Sequence, residues 1–583
     1  MNISLRNIVD KIDHNLQLNS NRIPCSKCYY LCADKSKLLL LLQDETQVVM
    51  GRRGTGKTTI FKAFTYYVNK IDERRDRRAW YVSLDECVPS KFELVSNSAD
   101  DITVYIFKSL LGQLLDFLYH TLEKFEKERQ YFLQGIDSPV GNINSRINRL
   151  NSLIIKLAEA AEGSPKAGEQ KMNVQSNLEN ESDILINANL RSKPKWGLNS
   201  SWKRNKRKFV NNSKEYFYKL DISEIKKIIL DIFKEFGFKK VYICLDEFNM
   251  IDGRATISLQ ARVAQLIKQL FCGNSICVVK IANVWNENRM QRRQGDRFGL
   301  ELGGDIFCTN ELNLDTMFEH DNQQAYSFFQ NMMLNDYMLI DFENDKTETQ
   351  FSTEEKEQIK KLMLEKLFAK DAFRCLVCGS QGIPRIFGEI LGQCLKAIKE
   401  ANYQKVINVE LVSRKIVDNY NTNVRRAIPC DSSLSIAIDD YISDTQNRFF
   451  LIKTSDYNKG RSYFDGLVAT NALHQCPSEQ VPRRLKNRYK VFFVHYGNYL
   501  EATNNYLKII KKDSKTDNML LYPDFALDII NDTQKYILNL PNDAFDFIYC
   551  DDCSTYFEKD KNVKNQPLYY ECPKCNNLIR YWH

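Results

Sequence analysis

Gly51-Arg52-Arg53-Gly54-Thr55-Gly56-Lys57-Thr58 follows the apolar run Val48-Val49-Met50 and leads into Thr59-Ile60-Phe61. The spacing G-x-x-x-x-G-K-[ST] is a phosphate-cradling pattern. Its glycines let successive backbone N–H groups curl around an anion with no Cβ in the way. Lys57 supplies a point charge to the β and γ phosphates of ATP, and Thr58 offers a hydroxyl to Mg2+. The helix that opens there adds the partial positive charge of its N-terminus. Arg52, Arg53, Thr55 and Thr59 complete the candidate nucleotide-contacting set. The context gives the motif its specificity: a strand over Thr46–Met50 enters it, and a helix from Lys57 to about Asn69 leaves it.

Outward from the loop, strands and helices alternate. The apolar pattern predicts a strand at Trp80–Leu84, a long helix from about Thr103 to Arg129, and a helix from about Ser223 to Phe236. Further strands are expected at Val241–Leu245, Ile276–Ala282 and, briefly, near Asp305–Cys308, with a helix over about Ser258–Phe271 between the first two. Residues from about 163 to 214 are rich in Asn, Ser, Lys and Glu and predict a mobile insertion. Such alternation implies an α/β fold with a parallel sheet covered on both faces.

The strand Val241–Leu245 ends in Asp246-Glu247. An acid there orients the water shell of magnesium, and its neighbour polarises the attacking water in phosphoryl transfer. Helix capping is the other use of such a pair. Asp85-Glu86 also follows an apolar strand and is the rival, ranked lower because that strand comes directly after the phosphate-loop helix. Asn283 stands where the next apolar strand turns polar; its amide suits holding a water or simply ending the strand.

With these residues in hand, the chain resembles AAA+ ATPases of the origin-initiator type, closest to a prokaryotic offshoot carrying G-R-R-G-T-G-K-T. The resemblance spans roughly residues 35 to 400 and rests on the phosphate loop, Asp246-Glu247, Asn283 and Gly382-Ile383-Pro384-Arg385. It implies a P-loop AAA+ αβα core, a helical lid and a winged-helix-like domain. It also implies that Arg385 is a second sensor reaching the γ-phosphate, with Pro384 fixing the first turn of its helix. Family members often lend an arginine finger to a neighbouring subunit of a homo-oligomer. Arg289, Arg292, Arg293 and Arg297 are the candidates, Arg297 the favoured one; a basic solvated loop is the alternative.

Cys550-x-x-Cys553 and Cys572-x-x-Cys575, eighteen residues apart, match the spacing of a structural Zn2+ site, a small C-terminal zinc ribbon. Cys25, Cys28 and Cys32 give three possible ligands with the fourth unassigned, His14 being one option. Cys375 and Cys378 lie in an apolar stretch and read as structural. The expected layout is therefore an N-terminal lead-in with its cysteine cluster (1–45), an ATPase core (46–310), a helical lid (311–405), a winged-helix-like α+β domain (406–540) and a zinc ribbon (541–583).

The 583-residue chain is too long for one core. Its net charge of +8 permits a DNA partner without demanding one. Basic clusters with aromatics lie at 191–208 and at Arg483-Arg484-Leu485-Lys486-Asn487-Arg488-Tyr489-Lys490, suited to a phosphate backbone or to a solvated loop. Seventeen cysteines and an N-terminus without an apolar signal core point to the reducing cytoplasm. No apolar run is expected to span a bilayer. Three functions stay open: an oligomerising ATPase that loads on or remodels DNA, in replication or antiviral defence; a STAND-like signalling switch controlling a separate effector protein; and a zinc-ribbon scaffold. No nuclease, protease or transferase constellation is found.

Overall fold

A computed structural model describes residues 4–16, 23–88, 99–127, 143–162, 164–165, 184–188, 216–251, 259–284, 291–292, 298–301, 306, 312–314, 322–343, 352–427, 433–476, 481, 483–503, 533–540, 547–550, 555–558, 569–571 and 578–580. The chain divides into two compact units. One comprises Ser36–Met50 and Ile60–Leu312; the other comprises Met1–Lys35, Gly51–Thr59 and Asn313–His583.

The first unit is a mixed α/β structure around a largely parallel sheet. β1 (Gln47–Met50) leads to the phosphate loop and α1 (Lys57–Tyr66); β2 (Arg77–Ser83), β3 (Lys240–Asp246), β4 (Cys277–Asn283) and a two-residue edge, β5 (Leu312–Asn313), complete the order β5-β1-β4-β3-β2. The pairs β1–β4, β4–β3 and β3–β2 are parallel. Every residue of β1 and β4 is buried, and apart from Gln47, Lys280 and Asn283 both are apolar. The expected strand near Asp305–Cys308 falls largely outside the described residues, and Leu312–Asn313 forms the edge.

Helices α2 (Ala99–Lys127), α3 (Ile143–Glu162), α4 (Ile222–Glu235) and α5 (Leu259–Phe271) share one apolar core with the sheet. α4 begins where the Asp221 carboxylate accepts from Glu224 N at 2.9 Å, and it buries Ile225, Ile229, Ile232 and Phe233 at helical spacing. Trp80 stacks on Phe117 at 6.1 Å and meets Phe271 edge-on at 6.2 Å. Part of α2, Ile102–Phe125, is long and apolar enough by length and composition to cross a membrane, contrary to the sequence expectation. Its Leu110, Leu111, Leu114 and Leu118 are buried in the core, so the apolarity serves packing.

The segment expected as a mobile insertion contributes Ser164–Pro165 and Ile184–Ala188, both antiparallel to Tyr216–Leu220. The rest of it, with the first basic cluster, lies outside the described residues. In β4, the Lys280 side chain is buried and all three ammonium hydrogens are used: Nζ donates to Gln43 O at 2.7 Å, Glu45 O at 2.8 Å and Gln47 Oε1 at 2.6 Å. It thereby fixes the stretch that enters β1.

The second unit opens with α6 (Asn322–Glu343), α7 (Thr353–Leu367), α8 (Ala372–Gly379), α9 (Pro384–Glu400) and α10 (Val409–Asn419). α7 starts on a capping box of Ser352 and Glu355, and α9 on Pro384 in its first turn. The N-terminal helix Leu5–Leu16 buries Ile8, Val9 and Ile12 in the same core as Phe329 and Phe387, which stack at 4.5 Å. Lys399 clamps it through Asp13 at 2.7 Å and Asp10 at 3.4 Å.

Next come α11 (Ser433–Thr445), β6 (Phe449–Lys453), α12 (Thr454–Lys459), α13 (Arg461–Ala469), β7 (Leu473–Gln475), β8 (Tyr489–Val494) and α14 (Tyr496–Ala502). The three strands form an antiparallel sheet in the order β6-β8-β7 over a core of Phe450, Phe464, Leu473 and Phe492. Two hairpins close the described chain: Phe547–Cys550 with Thr555–Glu558, and Tyr569–Glu571 with Leu578–Arg580.

Candidate phosphate-binding site

The loop after β1 owes its shape to two left-handed glycines, Gly54 at φ 89° and Gly56 at φ 92°. Thr55 closes the turn, its hydroxyl donating to Arg52 O at 2.9 Å. Lys57 begins α1 and folds back over the loop, donating to Gly51 O at 2.7 Å and Arg52 O at 2.9 Å. The ammonium thus sits on the loop's own carbonyls.

The loop is also fastened to the start of α9. Arg385 N donates to Gly54 O at 3.2 Å. A Cβ on Gly54 would lie 2.7 Å from Arg385 Cβ and 3.2 Å from Ile383 Cγ2. The Arg385 side chain is exposed beside the loop. The turn ahead of it carries two left-handed residues in a row, Gln381 at φ 55° and Gly382 at φ 73°. The glycine was legible as part of G-x-P-R; the left-handed glutamine had no sequence signal.

Within the sheet unit, the other expected residues gather at the carboxyl ends of neighbouring strands. Asn283 ends β4 directly opposite Met50, the last residue of β1. Its Oδ1 accepts from Val284 N at 2.8 Å, while its buried Nδ2 has no partner among the described residues. Asp246 ends β3, buried; its Oδ2 accepts from Tyr81 OH at 2.9 Å and its Oδ1 from Glu247 N at 2.9 Å. With strands about 4.8 Å apart, Asp246 stands two strands, roughly 10 Å, from Met50. Glu247 follows in a left-handed conformation, φ 58° and ψ 40°, which a glutamate adopts only under constraint. The rival acids Asp85 and Glu86 are exposed in a short 3-10 turn. Open α/β sheets bind ligands at this carboxyl edge.

The two left-handed glycines shape a cradle that suits phosphates. Within the sheet unit, Asn283 carries a buried donor with no partner among the described residues, and Asp246 retains lone pairs beyond its two hydrogen bonds.

Arg297, Arg289 and Arg293 lie outside the described residues, and Arg292 lies in the short strand Gln291–Arg292. Cys550 ends its hairpin strand, whereas Cys553, Cys572 and Cys575 lie outside the described residues. Among the described residues, no group of three or more His, Cys, Asp or Glu is placed to hold a metal. That covers Cys25, Cys28 and Cys32. Burial pushes the Cys32 thiol up to about 11. Cys375 and Cys378 are buried at hydrogen-bonding distance from Ser413 (3.7 Å) and Tyr326 (3.9 Å).

No protein-family model matches the chain, and no curated protein matches it. Among solved structures, Drosophila ORC bound to DNA aligns over 85% of this chain and 91% of that one, at 10% identity and a TM-score of 0.27. The ORC2 protein of Aeropyrum pernix in its ADPNP–ADP complexes aligns over 82% and 93%, at 12% identity and a TM-score of 0.20. At TM-scores this low the likeness carries no weight for the assignment of function.

Proposed function

We propose that the chain is an ATP-binding and ATP-hydrolysing protein of the AAA+ type that couples its nucleotide state to binding of duplex DNA. The observation that carries this reading is the fastening of the phosphate loop to the first turn of α9, Arg385 N to Gly54 O at 3.2 Å, with the exposed guanidinium beside the cradle. A structural loop has no need of a glycine cradle, a lysine folded over it and an arginine at its rim.

In this reading Lys57 exchanges two backbone carbonyls for phosphate oxygens, a trade of neutral for charged acceptors that strengthens its hydrogen bonds. Arg385 provides a planar fork for the terminal phosphate and so favours ATP over ADP. Glu247 polarises the attacking water, and the unmet amide of Asn283 orients it. Thr58 and Asp246 would hold magnesium, which would supply positive charge to the phosphate oxygens.

The DNA half of the proposal is supported by the element order helix-strand-helix-helix-strand-strand from α11 to β8, a winged-helix-like order. The connection between β7 and β8 exposes Arg483, Arg484, Lys486 and Arg488. For the tail, the two Cys-x-x-Cys pairs, whose spacing suits a structural zinc ion, accompany two hairpins in the sequence.

The test is equilibrium binding of fluorescent ATP and ADP analogues. Arg385→Ala is expected to bring the ATP and ADP affinities together, about tenfold weaker for ATP and little changed for ADP. Equal loss for both nucleotides would remove Arg385 from the site.

A further inference from the structure

Arg52 occupies the second position of the phosphate loop, yet its side chain leaves the loop. It is only 9% exposed. Nη2 donates to Gln381 O at 3.2 Å, and Nη1 meets Nδ1 of His474. His474 lies in β7, buried, opposite Phe493 of β8. Burial first, and then the Arg52 guanidinium, hold its imidazole well below the usual range, so the ring is neutral. Because a guanidinium only donates, Nδ1 is the acceptor and the ring proton sits on Nε2.

The surroundings are built of the same materials. His495, next along from β8, accepts from Gly497 N at 2.9 Å and stacks on Tyr420 at 5.1 Å. Arg448 lies over the Tyr496 ring at 3.9 Å. Gln381 is buried and left-handed, and neither polar atom of its side chain has a partner among the described residues. An arrangement that carries such costs is one that a second arrangement can relieve.

The backbone of Arg52 faces the other way. Its carbonyl accepts from Lys57 Nζ at 2.9 Å and from the Thr55 hydroxyl at 2.9 Å. One residue therefore holds the phosphate-loop lysine on its main chain and the β7 histidine on its side chain. When Lys57 moves to a phosphate, the Arg52 carbonyl gives up its charged donor and the residue is freed to shift against His474. β7 runs directly into the connection that carries Arg483, Arg484, Lys486 and Arg488.

We propose that Arg52 is a positioning residue through which the phosphate loop and the β7–β8 hairpin sense each other, so that nucleotide binding and duplex DNA binding are coupled through the Arg52–His474 contact. The coupling rests on the reading above that the loop binds nucleotide and the hairpin turn binds DNA. Linkage requires one factor for both directions. In the full-length protein, saturating duplex DNA is expected to change the Kd of a non-hydrolysable ATP analogue by about fivefold or more, and the analogue to change the DNA Kd by the same factor. His474→Phe keeps a ring but no acceptor; it should hold each separate affinity within about threefold and bring the factor to near one. His474→Gln restores an acceptor and should restore coupling. If His474→Phe fails to fold, Arg52→Lys keeps the charge, lacks the fork, and should abolish the coupling.

Full coupling in His474→Phe or Arg52→Lys, or no coupling in a wild-type protein that binds both ligands, overturns the proposal and leaves the nucleotide site standing. A wild-type protein that binds no nucleotide overturns the site itself, a result that needs no variant to recognise.

Discussion

Gly54 and Gly56 hold nearly the same left-handed φ, 89° and 92°, but their surroundings differ. A Cβ at Gly56 meets nothing within 4 Å, whereas at Gly54 it presses on Arg385 and Ile383. Gly56→Ala should therefore cost only the left-handed strain, roughly 1–2 kcal/mol, or about tenfold in ATP affinity. Gly54→Ala adds displacement of α9 and should cost distinctly more; equal losses in a fluorescent-ATP titration would contradict the fastening of loop to helix. A second residue-scale expectation concerns Asp336, whose carboxyl is buried, has no partner for Oδ2 among the described residues, and is pushed by burial from 3.8 up to about 8. Between those values the folded chain keeps a proton that the unfolded chain has released, so stability falls as pH rises across the window. Asp336→Asn should be several kcal/mol more stable than wild type at pH 8, the gap closing toward about pH 4 in urea titrations.

Elements were legible where the sequence carries its own punctuation. β3 and β4 are largely apolar runs that end in polar residues, β1 is an apolar run that meets the glycine loop, and α9 announces itself through Pro384. α3 was not foreseen, although Ile147, Leu150, Ile154, Leu157 and Ala161 recur at helical spacing. The helix Leu5–Leu16 offered an amphipathic face but nothing to say that Phe329 and Phe387 share its core. Lys280 interrupted an otherwise apolar strand, and only the fold supplies the three acceptors that make a buried lysine tolerable. Lys280→Met conserves volume and orphans all three; a loss of roughly 2–4 kcal/mol in chemical denaturation is expected. An unchanged midpoint would mean that the entry to β1 is fixed by other interactions.

At the scale of the molecule, the sequence named most of the candidate residues but not the partner of Arg52. The Arg52–His474 contact joins positions separated by 422 in sequence, and no local pattern encodes it. The exposed turn at Arg483, Arg484, Lys486 and Arg488 makes a separate prediction. Replacing three of these by alanine should weaken duplex DNA binding. It should also lower the slope of log affinity against log salt by about one for each phosphate the turn no longer neutralises. An unchanged slope would take the turn off the DNA. For the tail, metal analysis of the full chain should find zinc in the wild type and none in Cys572→Ser.

The central claim is that Gly51–Thr59 binds ATP and Glu247 turns it over. The direct measurement is the nucleotide retained after incubation with magnesium and ATP, followed by rapid gel filtration. Glu247→Gln should retain intact ATP, wild type should retain ADP, and Lys57→Ala should retain neither. ATP held by Lys57→Ala, or ADP formed by Glu247→Gln at the wild-type rate, would contradict it.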